Sequence, residues 1–467
     1  MAIRTITAEE SQLARDLLTR ARKAMEAIDG YDQAAADRLC RAIAWASANM
    51  PTSVRLANMS VDESGMGSRE PSRRSKVLGI LRDALRQKSI GVIEELPERG
   101  LVKYGKPAGV IASLIPVTSP YVTPAGIAIY AVKCKDAVIF SPHPASKKTT
   151  NEVVRLMRSA LAALGTPVDL LQCVERPSIP LANELMSICD LTIATGGPAM
   201  VKAAYSSGKP AYGVGAGNAT MVIDETADVA EAARNSSISK TNDYGSGCSA
   251  DGNLLVDASV YDALLAELQR NGGYLVNNQE RELLQAAYWD AGGQRTPETI
   301  ARSAQVVAGR AGFSIPPEKT FLIVEEHNIG QGHPFSSEKL GTVMAVFKYH
   351  GFDMALDMVR RIFEVGGKGH SCGIYSFDDE HIHRLALVAP VSRIMVRQVQ
   401  SRSNAGTFTN GMPMTSSMGC GIWGGNITNE NISLKHYMNV TWVSRPLPED
   451  KPSEEELFGE FHNSPQF

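Results

Sequence analysis

The chain has 467 residues, 43% of them hydrophobic and 21% charged, an ordinary globular composition over a length that calls for two or three domains. Its formal net charge of −3 excludes a general nucleic-acid binder, which carries a basic excess. Seven scattered cysteines, with no CxxC pair and no Cys/His cluster, exclude a disulfide framework and a zinc site and point to reduced thiols in the cytoplasm.

The amino-terminal stretch is charged and amphipathic and lacks an apolar signal core. No run approaches the roughly 18 apolar residues that span a bilayer, so no membrane association is expected. Leu13, Leu17, Leu18, Ala21 and Met25 recur at helical spacing and predict helix across 8–48; a second long helix is predicted over 75–95. From Gly109 to Val214 the apolar runs 110–116, 137–141, 170–174, 191–194 and 211–214 alternate with stretches long enough for crossover helices. Continuous apolar strands separated by helices predict a parallel sheet covered on both faces, with ligands beyond the carboxyl ends of its strands. That rule places 115–120, 141–144 and 195–198 on one functional edge. After Val222 the order restarts. A helix over 227–236 leads into 241–252, rich in Gly, Ser and Asn, and alternating patterns run on to Val396, with 332–349 reading as a loop followed by a strand. The segment 419–444 is rich in Gly and Asn and ends on alternating 437–443, a hairpin or edge element suited to pairing with a partner subunit. The tail from Pro446 is acidic and expected to be mobile.

Cys248 stands in SKTNDYGSGCSA, where small residues leave room around a sulfur and backbone amides can stabilise a thiolate or an oxyanion. Cys40, Cys134 and Cys189 fall in apolar helical patterns and read as packing residues, whereas Cys372 and Cys420 lie in Gly-rich surroundings that leave both readings open. Thr195, Gly196 and Gly197, between a strand and a helix, suit a helix N-terminus brought close to a phosphate or nicotinamide, although this is not the GxGxxG fingerprint. His370 reads equally as a surface histidine or an acid–base group, and Arg393, Arg397 and Arg402 form a basic cluster.

In order, the stretches IPVTSP at 115–120, FSPHP at 140–144, ATGGP at 194–198, VKAAYSSG at 201–208, GVGAGN at 213–218, Cys248, EKL at 338–340, GGKGH at 366–370 and MGCGIWGG at 418–425 resemble the CoA-acylating branch of the aldehyde dehydrogenase family. The resemblance runs from about residue 10 to 445. It implies an α/β chain with the aldehyde dehydrogenase fold. The implied parts are a Rossmann-like NAD(P)-binding domain over 1–225, an α/β catalytic domain over 226–415, a small β oligomerisation element over 416–445 and the acidic tail over 446–467.

The same resemblance implies a Cys248 thiolate that attacks an aldehyde, with the oxyanion stabilised by its own backbone N–H and by Thr118 or Ser119, where many relatives carry Asn. Hydrolytic members place a water-activating glutamate in the stretch corresponding to 213–218; this chain has none there, which implies that coenzyme A takes the acyl group. His370 is assigned to orienting the acyl group or assisting the CoA thiol. Ser141, Pro142 and His143 are implied near the adenosine ribose, Thr195, Gly196 and Gly197 near the pyrophosphate or nicotinamide, and Glu338 on the nicotinamide ribose. With no acidic residue after the ribose strand, and with His143 and Lys147 nearby, NADP is favoured and NAD left open. Arg397 and Arg402 are expected to bind the anionic end of a short aldehyde, sulfoacetaldehyde first, with an acylating succinate-semialdehyde or acetaldehyde dehydrogenase as alternatives. The competing classes are a hydrolytic dehydrogenase and a catalytically inactive nucleotide-binding homologue. A homodimer or homotetramer is expected, with no metal.

Overall fold

A computed structural model describes residues 4–463. Its first layer is helical: α1 (Ala8–Ala27), α2 (Gln33–Ala48), α3 (Met50–Ser64) and α4 (Arg74–Leu85). The helix expected across 8–48 is two helices, because Asp32 caps α2 by accepting from the Ala35 amide at 2.8 Å. The helix expected over 75–95 stops at Leu85. Gly91, at φ +69°, turns the chain, and β-branched Val92 and Ile93 enter β1 (Gly91–Leu96), which pairs antiparallel with β2 (Leu101–Pro107).

The apolar runs that follow become β3 (Val110–Ile115), β4 (Ala137–Pro142), β5 (Leu171–Cys173), β6 (Leu191–Thr195) and β7 (Ala211–Val214). Between them run the crossover helices α5 (Val122–Lys133), α6 (Lys147–Ala163), α7 (Ile179–Ile188) and α8 (Pro198–Tyr205). The five strands are parallel in the order β5-β4-β3-β6-β7. β3 and β4 are buried along their whole length, as continuous apolar strands require. The order reverses between β3 and β6, so the crevice beyond Ile115 and Thr195 is the switch point of this sheet.

A second sheet starts at β8 (Thr220–Ile223), before the domain boundary expected at 225. Helix α9 (Val229–Thr241) follows, then β9 (Asn253–Asp257), β10 (Gly273–Leu275), β11 (Phe321–Glu325), β12 (Val343–Tyr349), β13 (Cys372–Tyr375) and β14 (Ile394–Val396). All seven strands are parallel, in the order β10-β11-β12-β9-β8-β13-β14. The start of the carboxy-terminal segment folds back on itself, with an antiparallel bridge between Met418 and Asn431 and the Gly419 and Gly421 amides donating to the Glu430 and Thr428 carbonyls. Its last part, β15 (Met438–Ser444), adds to β2 as an edge strand, giving a three-stranded antiparallel sheet, β1-β2-β15, with exposed edges. The acidic tail carries a short helix over Glu454–Phe458. Among the described residues no helix is long and apolar enough to cross a membrane.

The two large sheets present opposite ends to each other. The loops after β3, β4, β6 and β7 leave carboxyl ends of the first sheet, whereas those holding Cys248, Glu338 and His370 lead into amino ends of β9, β12 and β13. Residues of both edges line one cavity of about 660 Å³.

Candidate active site

Cys248 lies between α9 and β9 on the cavity wall. Its loop has an unusual backbone: Asp243 and Tyr244 both take left-handed φ, 50° and 51°. Arg73, just before α4, braces it. The guanidinium pairs with Asp243 Oδ2 at 2.7 Å, donates to Ser246 Oγ, and donates to the Thr118 carbonyl at 2.9 Å. Asp243 in turn accepts from the Ser246 hydroxyl at 2.8 Å and from the Ser68 amide at 2.6 Å. One side chain thus joins the Cys248 loop to the 116–121 loop. Sequence reasoning missed Arg73 because a single arginine at a helix start belongs to no motif.

His370 Nε2 lies 2.9 Å from Cys248 Sγ, and Nδ1 lies 2.8 Å from Ser371 Oγ. Arg393 donates to the carbonyls of His370 at 2.9 Å, Gly419 at 2.6 Å and Asn429 at 3.0 Å, anchoring the histidine loop to the 419–429 turn. Burial pushes the Cys248 thiol up to about 12, with Glu338 and Cys420 adding to the rise and Lys76 and Arg73 opposing it. Burial, then the charge of Arg393, lowers His370 to about 3. The thiol therefore keeps its proton and donates to an unprotonated Nε2, which leaves the ring proton on Nδ1 facing Ser371.

The stretch 213–218 passes directly beside Cys248. A Cβ placed on Gly217 would meet the Cys248 carbonyl oxygen at 1.9 Å, so only glycine permits this approach. No carboxylate lies in that stretch, and among the described residues Glu338 is the one carboxylate on the cavity wall. It is already engaged: Oε1 accepts from the Gly217 amide at 3.0 Å and Oε2 lies 3.2 Å from Arg295. Four cations share that wall, Arg73, Lys76, Arg295 and Arg402.

Of the residues expected from sequence, Thr118, Ser119, His143, Thr195, Gly196, Gly197 and Glu338 line the cavity with Cys248, and His370 reaches it through the sulfur. Ser141 and Pro142 end β4 but do not reach the wall. Arg402 lines the cavity from an exposed position. Arg397 is not brought there: its guanidinium lies 4.0 Å over the Phe377 ring and donates to the Ser376 carbonyl at 3.4 Å. Cys40, Cys134, Cys189, Cys372 and Cys420 are buried.

The N-terminus of α8 suits a cofactor phosphate. Gly197 caps it without a side-chain hydrogen bond, and a Cβ there would meet nothing within 4 Å, so a group in the cavity has room to approach this helix end. Among the described residues one cluster has metal-ligand spacing, Asp224, Glu225 and His381, at the carboxyl end of β8 and so at the edge of its sheet opposite Cys248. Asp224 there already accepts from the Thr226 amide and hydroxyl.

Residues 3–443 match the model of the aldehyde dehydrogenase family. The chain is 44% identical to a sulfoacetaldehyde dehydrogenase of an Acholeplasma species, over 95% of this chain and 93% of that one. It is 41% identical to an acylating sulfoacetaldehyde dehydrogenase of Bilophila wadsworthia, over 94% and 97%. An acetylating aldehyde dehydrogenase from Geobacillus thermoglucosidasius superposes with a TM-score of 0.90 at 34% identity, covering 95% of this chain and 99% of that one. A Rhodopseudomonas palustris propionaldehyde dehydrogenase, solved with bound CoA and an acylated cysteine, superposes at 0.82 with 25% identity, over 92% and 97%.

Proposed function

The chain belongs to the aldehyde dehydrogenase family, and from that premise we propose that it is a CoA-acylating dehydrogenase converting a short anionic aldehyde, sulfoacetaldehyde first, to its CoA thioester through Cys248. The observation that carries the acylating reading is the state of the cavity's only carboxylate. A hydrolytic site needs a free base to activate water; Glu338 is held by Gly217 and Arg295, and the stretch beside the sulfur offers no other. A thiol acceptor needs less assistance, because its own thiolate is accessible near neutral pH.

In the forward direction the Cys248 sulfur attacks the aldehyde carbon as His370 Nε2 takes the thiol proton. The Cys248 backbone N–H, with a hydroxyl of Thr118 or Ser119, stabilises the resulting oxyanion. NAD(P)+ supplies the hydride acceptor when bound. Thr195, Gly196 and Gly197 would hold its phosphates at the N-terminus of α8 and Glu338 its nicotinamide ribose, and His143 on the wall, with Ser141 and Pro142 behind it at the end of β4, would lie on the adenosine side. NADP is favoured over NAD by His143 on the wall, with no carboxylate beside it there. The acyl group of the thioester on Cys248 passes to the CoA sulfur as its bond to Cys248 breaks and the Cys248 thiol regains a proton, and the closeness in energy of thioester and aldehyde makes the sequence reversible.

The cofactor is carried by 1–225 and the acyl chemistry by 226–415. The outer edge of β15, with Val440, Trp442 and Val443 exposed, supports the homodimer or homotetramer expected for the 416–445 element. The seven free thiols fit a reducing cytoplasm.

The test is reduced-cofactor formation from sulfoacetaldehyde, succinate semialdehyde, acetaldehyde and propanal, with each cofactor, with and without CoA. CoA-dependent turnover, fastest with sulfoacetaldehyde and NADP, is expected. Free acid formed at the same rate without CoA would mark a hydrolytic enzyme, and silence with every aldehyde an inactive homologue.

A further inference from the structure

The four cations of the cavity are not equivalent. Arg295 is paired with Glu338, and Arg73 with Asp243, Ser246 and the Thr118 carbonyl. Two remain without a side-chain hydrogen bond or ion pair among the described residues, Lys76 and Arg402. Arg402 is exposed and stands near the 406–409 segment, whereas Lys76 is partly buried, three residues along α4 from Arg73. Residues three apart share a helix face, so the bracing arginine and the free lysine look into the same space. Lys76 and Cys248 line the same cavity.

A short anionic aldehyde sets a tight distance condition. In sulfoacetaldehyde one methylene separates the carbonyl carbon from the sulfonate, so a cation that binds the sulfonate has to stand beside the nucleophile. A partly buried ammonium with no side-chain partner, on the cavity wall it shares with Cys248, meets that condition, and an anion would neutralise its charge. We propose that Lys76, not Arg397 or Arg402, is the residue that receives the anionic end of the substrate at the cavity wall beside Cys248. Its ammonium carries three N–H donors that an anionic oxygen can accept from. Lys76 therefore selects an anionic over a neutral aldehyde. This inference rests on the proposed oxidation of an anionic aldehyde.

The experiment compares Lys76→Met, Lys76→Arg and Arg402→Ala by the ratio of kcat/KM for sulfoacetaldehyde to that for propanal, with CoA present. Loss of a charge-assisted contact should lower this ratio on the order of 10- to 100-fold in Lys76→Met, mainly through KM. Lys76→Arg should recover part of the loss, and Arg402→Ala should change the ratio less than Lys76→Met does. An unchanged ratio in Lys76→Met, or a larger fall in Arg402→Ala, overturns the assignment. Should Lys76→Met be too impaired to assay, protection of Cys248 from iodoacetamide by ethanesulfonate gives the same reading. Protection is expected in the unsubstituted enzyme and in Lys76→Arg and is expected to be lost in Lys76→Met; equal protection in all three overturns the proposal. Failure of the unsubstituted enzyme to prefer any anionic aldehyde would instead refute the parent reading, and that result is visible before any variant is made.

Discussion

Cys248 and His370 meet as a neutral pair because the burial that raises the thiol to about 12 also lowers the imidazole to about 3. Only the thiolate is a strong nucleophile, and its fraction grows with pH until the thiol's own titration. Alkylation of Cys248 in the ligand-free protein should therefore accelerate roughly tenfold per pH unit from 6 to 10, with no inflection near 6.5. The sign is fixed by the raised thiol: lifting its titration above the range moves the plateau out of it, and a lowered imidazole contributes no cationic limb there. A plateau reached by pH 8 would mean a thiolate–imidazolium pair instead. At this scale part of the site was legible. Cys248 and Glu338 announced themselves by their small-residue and EKL surroundings, but the His370–Cys248 contact joins residues 122 apart, and no local pattern encodes it. Arg397 was misplaced for a related reason. Its sequence neighbours lie near the cavity, while its left-handed φ of 49° and its contact with Phe377 lie in the three-dimensional path of the chain.

Loops, rather than the strands they join, hold Cys248, Glu338 and His370 in register, and glycine makes their interlocking possible. Besides Gly217, Gly369 at φ +80° would place a Cβ 1.7 Å from the Cys420 carbonyl oxygen, and Gly367 at φ +81° would place one 2.5 Å from the Asn218 amide. The loops leading into β8, β9 and β13 are thus packed backbone on backbone. Gly217→Ala must push the Cys248 loop away, and a displacement of about 1 Å at the reacting atoms costs on the order of 100-fold in rate. The expected outcome is a kcat lower by that order with the far-ultraviolet circular dichroism spectrum retained; a kcat within threefold of the original would show that these loops are not in contact in solution. The alternating strands and helices from Val110 to Val214 were readable because each buried strand is a continuous apolar run bounded by polar turns. The stretch after Leu85 was not, because its apolar residues fit a helical face as well as a two-sided strand, and only Gly91 and the pairing with β2 decide between them.

Across the whole molecule, the site exists because carboxyl ends of one parallel sheet face amino ends of another. The rule that ligands bind at carboxyl ends located the first half from sequence and could not locate the second, since the loops before β9, β12 and β13 lie on the edge that rule passes over. Family resemblance, not periodicity, placed Cys248, Glu338 and His370 together; Cys248 and Glu338 stand on one cavity wall, and His370 reaches it through the Cys248 sulfur. Lys76 and Arg73 come from a third source, the amino-terminal helical layer, whose amphipathic pattern reads as packing alone. The claim on which this account turns is that oxidation leaves an acyl group on Cys248 which water removes slowly and CoA removes quickly. Mass spectrometry of the intact enzyme, mixed with sulfoacetaldehyde and NADP+ and then with or without CoA, measures it directly. The account predicts an acyl mass on the peptide carrying Cys248 that persists without CoA and is discharged on its addition; an adduct lost equally fast in water alone, or found on another residue, would contradict it.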